Sequence, residues 1–437
     1  MTEAGDRAQT DRYRISASSL SELLYRSMAY LCLSLIVGSS VAFFLWSLDR
    51  VTELHWNYPG LLYSLPIIGL ISGLIYHRFG QSTEGGNNLI IEQIHQPGGG
   101  VPIRMAPLVL IGTLLTHLGG GSAGREGTAV QMGGSLAGLV ASWFGFEKGA
   151  LRGFLTAGVA AGFGAVFGTP IAGAIFALEV VVRGRIQHQA MIPCLFCAVV
   201  ADQVTMLWGI KHTEYSINCF AGDGGWHQSS WVSDGKLLLG VILAGVAFGW
   251  VSRLFIWSSH CISSWARIWI SSPWLRPAIG GVIVVVLALL LNGREYLGLG
   301  VNANPWSAHP ITIAGCFRDG GATHFSWLIK LLFTVVTVGM GFKGGEVTPL
   351  FFIGAAVGNS LAIILGAPVD LMAGLGFIAV FAGATKTPIA CMVMGIELFA
   401  PHSDGLMTSR FLVYTAVACF VAYATSGSES IYKAQKK

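Results

Sequence analysis

Apolar stretches recur along the chain at roughly 27–48, 60–76, 106–118, 129–144, 150–182, 190–209, 237–257, 276–291, 327–341, 350–365, 371–382, 389–400 and 411–425. Many are shorter than the roughly 20 residues an α-helix needs to cross a bilayer, and many are interrupted by glycine or proline. Broken helices at membrane depth are tolerated only where the freed backbone is buried in protein or lines a cavity. The pattern predicts an all-α polytopic membrane protein of the transporter or channel kind, whose half-helices point their ends at a midplane site. The 58 glycines predict close helix packing.

The longest polar interval, residues 211–236, divides the chain into two halves that contain a repeat. Gly124-Arg125-Glu126-Gly127-Thr128 matches Gly344-Gly345-Glu346-Val347-Thr348, and Gly134 and Gly138 match Gly354 and Gly358 at the same offset. Further on, Pro170-Ile171-Ala172 followed by Glu179 matches Pro388-Ile389-Ala390 followed by Glu397. With an odd number of segments in each half, the repeats are inverted and bring their motifs to a shared centre. The expected organisation is an N-terminal tail at 1–26, a first membrane repeat at 27–210, a connecting loop at 211–236 and a second repeat at 237–437.

Charge narrows the function classes. Only 11% of the 437 residues are Asp, Glu, Lys or Arg, against about a quarter in a soluble domain. The net charge of +4 is spread thinly, so no nucleic-acid surface is expected. The first 26 residues mix Arg7, Arg12, Arg14 and Arg26 with Glu3, Asp6, Asp11 and Glu22, unlike a signal or transit peptide. By the positive-inside bias this tail is expected to be cytoplasmic, as is the end that carries Lys433, Lys436 and Lys437. The location implied is the cell (inner) membrane.

Enzymatic and metal readings find little support. Cys194 and Cys197 have metal-ligand spacing, but no second pair or histidine cluster accompanies them, so the eight cysteines are read as packing residues. No cofactor or metal is expected. Gly120-x-Ser122-x-Gly124 with nearby His117 formally matches a nucleophile elbow, yet the strand–turn–helix setting that motif needs is not readable. Neither a zinc-protease helix nor a phosphate-binding ATPase loop is present. Transport must draw on gradients.

The motif with clearest chemistry is Gly119 to Thr128, which ends one apolar segment and opens the next. Glycines ahead of a helix start free backbone N–H groups to face a ligand, and the helix dipole favours an anion there. Glu126 can occupy the anion's position when ionised and vacate it when protonated. Burial disfavours the ionised carboxylate and the helix start favours it, so a group caught between them can exchange a proton. The plain alternative is that Glu126 caps its own helix or pairs with Arg125.

This motif resembles the gating-glutamate motif of the CLC chloride channels and proton-coupled antiporters, with Thr128 where the family usually has proline. The resemblance extends to Phe167-Gly168-Thr169-Pro170-Ile171-Ala172-Gly173 with Glu179, and to Ser430-Ile431-Tyr432-Lys433-Ala434. It implies a CLC-type fold of about 18 tilted helices in two inverted repeats, and a homodimer with one pathway in each subunit. It also implies that Glu126 is the external gating glutamate, that Gly124, Arg125, Gly127 and Val347 flank the anion, and that the Tyr432 hydroxyl reaches it.

Departures from the common pattern point to one branch. Where most of the family has a serine-containing loop, this chain has Gly85-Gly86-Asn87-Asn88-Leu89-Ile90; where most have Gly-x-Phe-x-Pro, it has Gly345-Glu346-Val347-Thr348-Pro349. Both resemble the fluoride-exporting members, which implies fluoride and protons as the transported ions; a chloride-selective antiporter or channel is the alternative. Amide and hydroxyl donors on Asn87 (or Asn88) and Thr348 suit a small, strongly hydrated anion. Glu346 would repel an anion and is read as a proton-handling or gating group, with a salt bridge to Lys343 as the plain alternative. Val180 stands where chloride/proton antiporters of the family carry their internal proton-transfer glutamate, one residue after Glu179, which is read evenly as a helix-end or dimer-stabilising acid.

Overall fold

The computed structural model describes residues 17–98, 100–146, 148–184, 186, 188–219, 231–399 and 405–436. Arg7, Arg12, Arg14 and Lys437 of the expected cytoplasmic ends, and residues 220–230 of the expected connecting loop, lie outside them. Among the described residues there are fifteen α-helices and no sheet.

In chain order they are α1 (Ala17–Asn57), α2 (Leu65–Phe79), α3 (Asn87–His95), α4 (Met105–Leu118), α5 (Glu126–Trp143), α6 (Lys148–Phe167), α7 (Pro170–Glu179), α8 (Met191–Leu207), α9 (Trp231–Trp269), α10 (Arg276–Leu290), α11 (Ser326–Gly339), α12 (Val347–Leu365), α13 (Val369–Thr385), α14 (Pro388–Phe399) and α15 (Gly405–Thr425). Among the described residues seven helical segments are long and apolar enough to cross a membrane, and six more are apolar but shorter, among them Met105–Leu118, Pro170–Glu179 and Pro388–Phe399. At 41 and 39 residues, α1 and α9 are each about 60 Å long, twice a hydrocarbon core, so they run tilted or project beyond it. The protein is a multi-pass membrane protein.

Glycine sets the closest helix approaches. A Cβ on Gly354 of α12 would lie 2.0 Å from the Gly376 carbonyl oxygen of α13, and one on Gly358 2.0 Å from that of Met372. In the first half, α5 meets α6 through Gly133, whose Cβ would lie 2.1 Å from Gly158 O, whereas Gly134, the repeat match of Gly354, faces Ile90 of α3. The two helix pairs are related in kind and displaced by one residue at the contact.

The Pro-Ile-Ala repeat has a structural reason. Both α7 and α14 are short helices opened by proline, and their first N–H groups have no partner within the helix. Glu397 on α14 accepts from Ile171 N–H (2.9 Å) and Ala172 N–H (2.7 Å) at the start of α7. Glu179 at the end of α7 returns the arrangement, accepting from Ile389 N–H (3.1 Å) and Ala390 N–H (2.8 Å) of α14. Each repeat's acid caps the other repeat's broken helix. Glu179 is thus a helix-capping acid within the protomer, and Val180 beside it is buried.

The C-terminal segment after α15 folds back against the end of α13. Ile431 N–H donates to Ala384 O (3.0 Å) and Gln435 Nε2 to Thr385 O (3.1 Å). Further along, Ala434 N–H donates to Asn88 Oδ1 (3.0 Å) on α3, which carries Tyr432 into the protein interior.

Removing a reciprocal cap strands two buried donors, at a cost of about 1–3 kcal/mol. Glu179→Ala and Glu397→Ala are each expected to lower the thermal unfolding midpoint of the detergent-solubilised protein, with Glu179→Ala the larger because Glu179 is more deeply buried. Unchanged midpoints in both would refute the capping role.

Candidate anion and proton site

The two matched glycine-rich motifs meet at the centre. Gly124 N–H donates to Gly345 O (2.5 Å) and Gly345 N–H to Gly124 O (2.7 Å), an antiparallel bridge between the halves. Side chains would prevent it: a Cβ on Gly345 would lie 2.8 Å from Gly127 N, and one on Gly124 2.7 Å from Glu126 Oε2. The bridge sets the N-termini of α5 and α12 side by side, each with free N–H groups.

Glu126 is fully buried, and its carboxylate lies at the start of α12. Oε2 accepts from Thr348 N–H (3.1 Å) and Arg125 N–H (3.1 Å), and Oε1 accepts from the Thr348 hydroxyl. The carboxylate therefore sits where an anion would be bound by the helix start and a hydroxyl donor. It caps the other repeat's helix, α12, through Thr348. The Arg125 guanidinium is peripheral to this set, with Nε 3.9 Å from Glu126 Oε1.

A cavity of about 360 Å³ opens beside this point, lined among others by Asn87, Asn88, Gln131, Lys343, Glu346 and Tyr432. Asn87 stands at the start of α3, and its Nδ2 would lie 3.2 Å from a Cβ on Gly127. Its Oδ1 is buried with no hydrogen-bond partner. Asn88, by contrast, is occupied in holding the C-terminal segment. Of the two, Asn87 is the one with an amide facing the centre.

Glu346 lines the same cavity. The alternative of an ion pair with Lys343 is not formed among the described residues: Lys343 lies elsewhere, with Nζ 4.0 Å from the centroid of the Tyr76 ring. Tyr432 is buried within electrostatic reach of both Glu346 and Glu126. Val347, the first residue of α12, is buried.

The serine-nucleophile geometry is not formed. The Ser122 hydroxyl pairs with Thr334 Oγ1 (3.0 Å), while the His117 ring nitrogens face Thr113 O (2.8 Å) and Ala123 O (3.1 Å). Instead His117 ties the end of α4 to the loop that delivers Glu126. Sequence reading did not single out Gln131, nor the aromatic residues across Glu126 from this cavity; an isolated glutamine and an aromatic in a polar interval carry no local signal of their position.

The family model described as voltage gated chloride channel matches residues 68–427. The chain belongs to this family. It is 42% identical over 409 residues to the chloride/fluoride channel protein of Pseudomonas syringae pv. tomato, covering 92% of this chain and 84% of that protein. It is 27% identical over 387 residues to the voltage-gated ClC-type chloride channel ClcB of Escherichia coli O81, covering 84% of each. Among solved structures, a CLC-type fluoride/proton antiporter superposes with a TM-score of 0.85 at 32% identity, covering 96% of this chain and 99% of the other. A slow cyanobacterial Cl-/H+ antiporter superposes at 0.73 with 21% identity, covering 93% of this chain and 95% of the other, and shares the CLC fold. The protein is accordingly a CLC transport protein.

If the Glu126 carboxylate occupies an anion position, removing it uncovers the donors. Glu126→Ala is expected to bind a small halide in calorimetric titration at least about tenfold more tightly than the parent, since competition from one charge-assisted bond, about 1.5 kcal/mol, is lifted. Equal affinity in the two proteins would mean that the carboxylate blocks no anion position.

Proposed function

We propose that this protein exports fluoride across the bacterial inner membrane in exchange for protons. The reading rests above all on the Glu126 carboxylate held by the backbone and hydroxyl of Thr348, the threonine of the Glu-Val-Thr triplet. That donor set, with the Asn87 amide nearby, replaces part of the hydration shell of a small hard anion, and each bond to a charged acceptor is of the strong kind. The relative named for chloride and fluoride, and the likeness to a fluoride/proton antiporter, support the same reading.

In the proposed cycle fluoride enters the cavity lined by Asn87 and Tyr432 and takes the Thr348 donors as Glu126 accepts a proton and withdraws. Fluoride then moves past α12 while Glu126 returns ionised. Glu346, whose carboxylate finds no ion-pair partner among the described residues, handles the proton on the cavity side, substituting for the acid that Val180 replaces. The cavity lies on the face that carries the C-terminal segment, read as cytoplasmic together with the N-terminus. A homodimer with one pathway per protomer is part of the proposal.

The decisive test separates an antiporter from a leak and fluoride from chloride. In liposomes with equal fluoride on both sides, a proton gradient and the voltage clamped at zero by a potassium ionophore, fluoride is expected to accumulate against the direction of proton flow. Fluoride that stays level under the clamp, yet runs freely down its own gradient, identifies a channel. Chloride moving at least as fast as fluoride overturns the anion assignment.

A further inference from the structure

A second cavity, of about 470 Å³, lies across the protein from the first, lined by Glu214, Tyr215, Arg318, Asp319 and Asp370 among others. The two are at opposite ends of α12. The first is lined by Gly344 and Glu346, just before α12, and the second by Val369 and Asp370, just after it. Nineteen residues of helix separate them, about 28 Å. A path between the cavities along α12 would pass Thr348 and the Glu126 carboxylate at its start.

On the far side of Glu126 that path is closed. Arg125, Glu126, Thr348 and Phe351 enclose a void of about 10 Å³ together with Tyr215 and Phe377, no more than a single water could fill. Tyr215 is the one residue lining both this void and the far cavity. Its ring is wedged against Phe317 (centroids 5.6 Å, stacked), Phe377 (5.2 Å) and Phe399 (6.4 Å). Its hydroxyl is within electrostatic reach of Arg125 and Glu126.

The chain around Tyr215 is built as a strap fixed at both ends. Residues 211–218 form no regular secondary structure. Before Tyr215, the His212 ring packs onto Gly168, where a Cβ would lie 2.6 Å from it, and sits 3.6 Å from Asp202. After it, Asn218 N–H (2.6 Å) and Cys219 N–H (2.8 Å) donate to Asp370 Oδ2 at the start of α13, and Ile217 packs on Gly374. Between these anchors Tyr215 is held by its ring contacts and a side-chain hydrogen bond with Thr213, which a rotation can exchange without breaking a backbone hydrogen bond.

We propose that Tyr215, contributed by the segment between the two repeats, is the far-side gate of the pathway: its ring separates Glu126 from the second cavity and must turn aside for the anion to pass. With the first cavity beside the site and the second sealed by Tyr215, Glu126 would face one side at a time, as coupled exchange requires. This rests on the antiport reading above and supplies its second barrier.

The test is the full-length protein in liposomes, with fluoride efflux and proton uptake recorded together for the parent, Tyr215→Ala and Tyr215→Phe. Tyr215→Ala is expected to raise fluoride flux several-fold and to lower the number of protons moved per fluoride. Tyr215→Phe, which keeps the ring, is expected to retain the parent ratio. A merely structural role would lower both fluxes together at a constant ratio, and that result overturns the proposal. So does parental behaviour of Tyr215→Ala, or a Tyr215→Phe that leaks like it. Should Tyr215→Ala not purify as folded protein, Tyr215→Leu carries the same expectation. If the parent moves anions without protons, the antiport reading fails, yet an increase in anion flux in Tyr215→Ala still supports the gate, so the two failures are distinguishable.

Discussion

The arrangement depends on one contact: the pair of backbone hydrogen bonds between Gly124 and Gly345. It joins the two halves of the chain at the point where each begins a helix, and only glycine permits the approach. With α5 and α12 starting side by side, the first turn of one can be capped by a side chain from the other. Glu126 does so through Thr348. Two helix starts in low-dielectric surroundings make a strongly anion-attracting point, because their unpaired N–H groups have little water to turn to. The site is therefore a consequence of how the halves meet.

The same logic operates further from the centre. Glu179 and Glu397 exchange caps between α7 and α14, so here too a break in one half is repaired by an acid from the other. Such breaks are tolerable in a membrane protein only if the freed N–H groups find partners inside the protein. The reciprocal acids provide these partners permanently, whereas in the proposed cycle Glu126 provides its partner reversibly. The difference lies in surroundings: Glu179 and Glu397 are spent on closed pairs of backbone donors, while Glu126 stands beside the cavity lined by Asn87 and Glu346.

Much of this was legible in the sequence because it is carried by short motifs. The glycine-flanked Glu126, its Thr348 partner and the Pro-Ile-Ala repeat each lie within a motif of a few residues of chain. What was illegible depends on folding back of distant segments. Asn87 and Asn88 are adjacent and chemically identical, and only the docking of Ala434 on Asn88 distinguishes them. Lys343 and Glu346 invite an ion pair by spacing, but the tight turn before α12 sends the lysine over Tyr76. Glu179 could not be assigned to a cap until α14 was placed against α7. Tyr215 lies in a polar interval that reads as a plain connection, and its position against Phe317, Phe377 and Phe399 is a property of the closed fold.

In the proposed cycle, the reason for exchange rather than simple binding lies in the donors. Left empty, the Thr348 hydroxyl and the N–H groups of Arg125 and Thr348 would each forgo a charge-assisted bond worth about 1.5–3 kcal/mol. An ionised carboxylate and a small anion satisfy the same donors, so replacing one by the other costs far less than vacating the site. Occupancy is then decided by the charge on Glu126. Ionised, it competes with any arriving anion at close to unlimited local concentration; protonated, it loses most of its claim on donors that favour negative charge. In the proposed cycle a proton taken up by Glu126 thus admits the anion, and an anion's departure draws the ionised carboxylate back onto the donors. Coupling of this kind needs no long wire between the two ions, only one position that both the carboxylate and the anion fit.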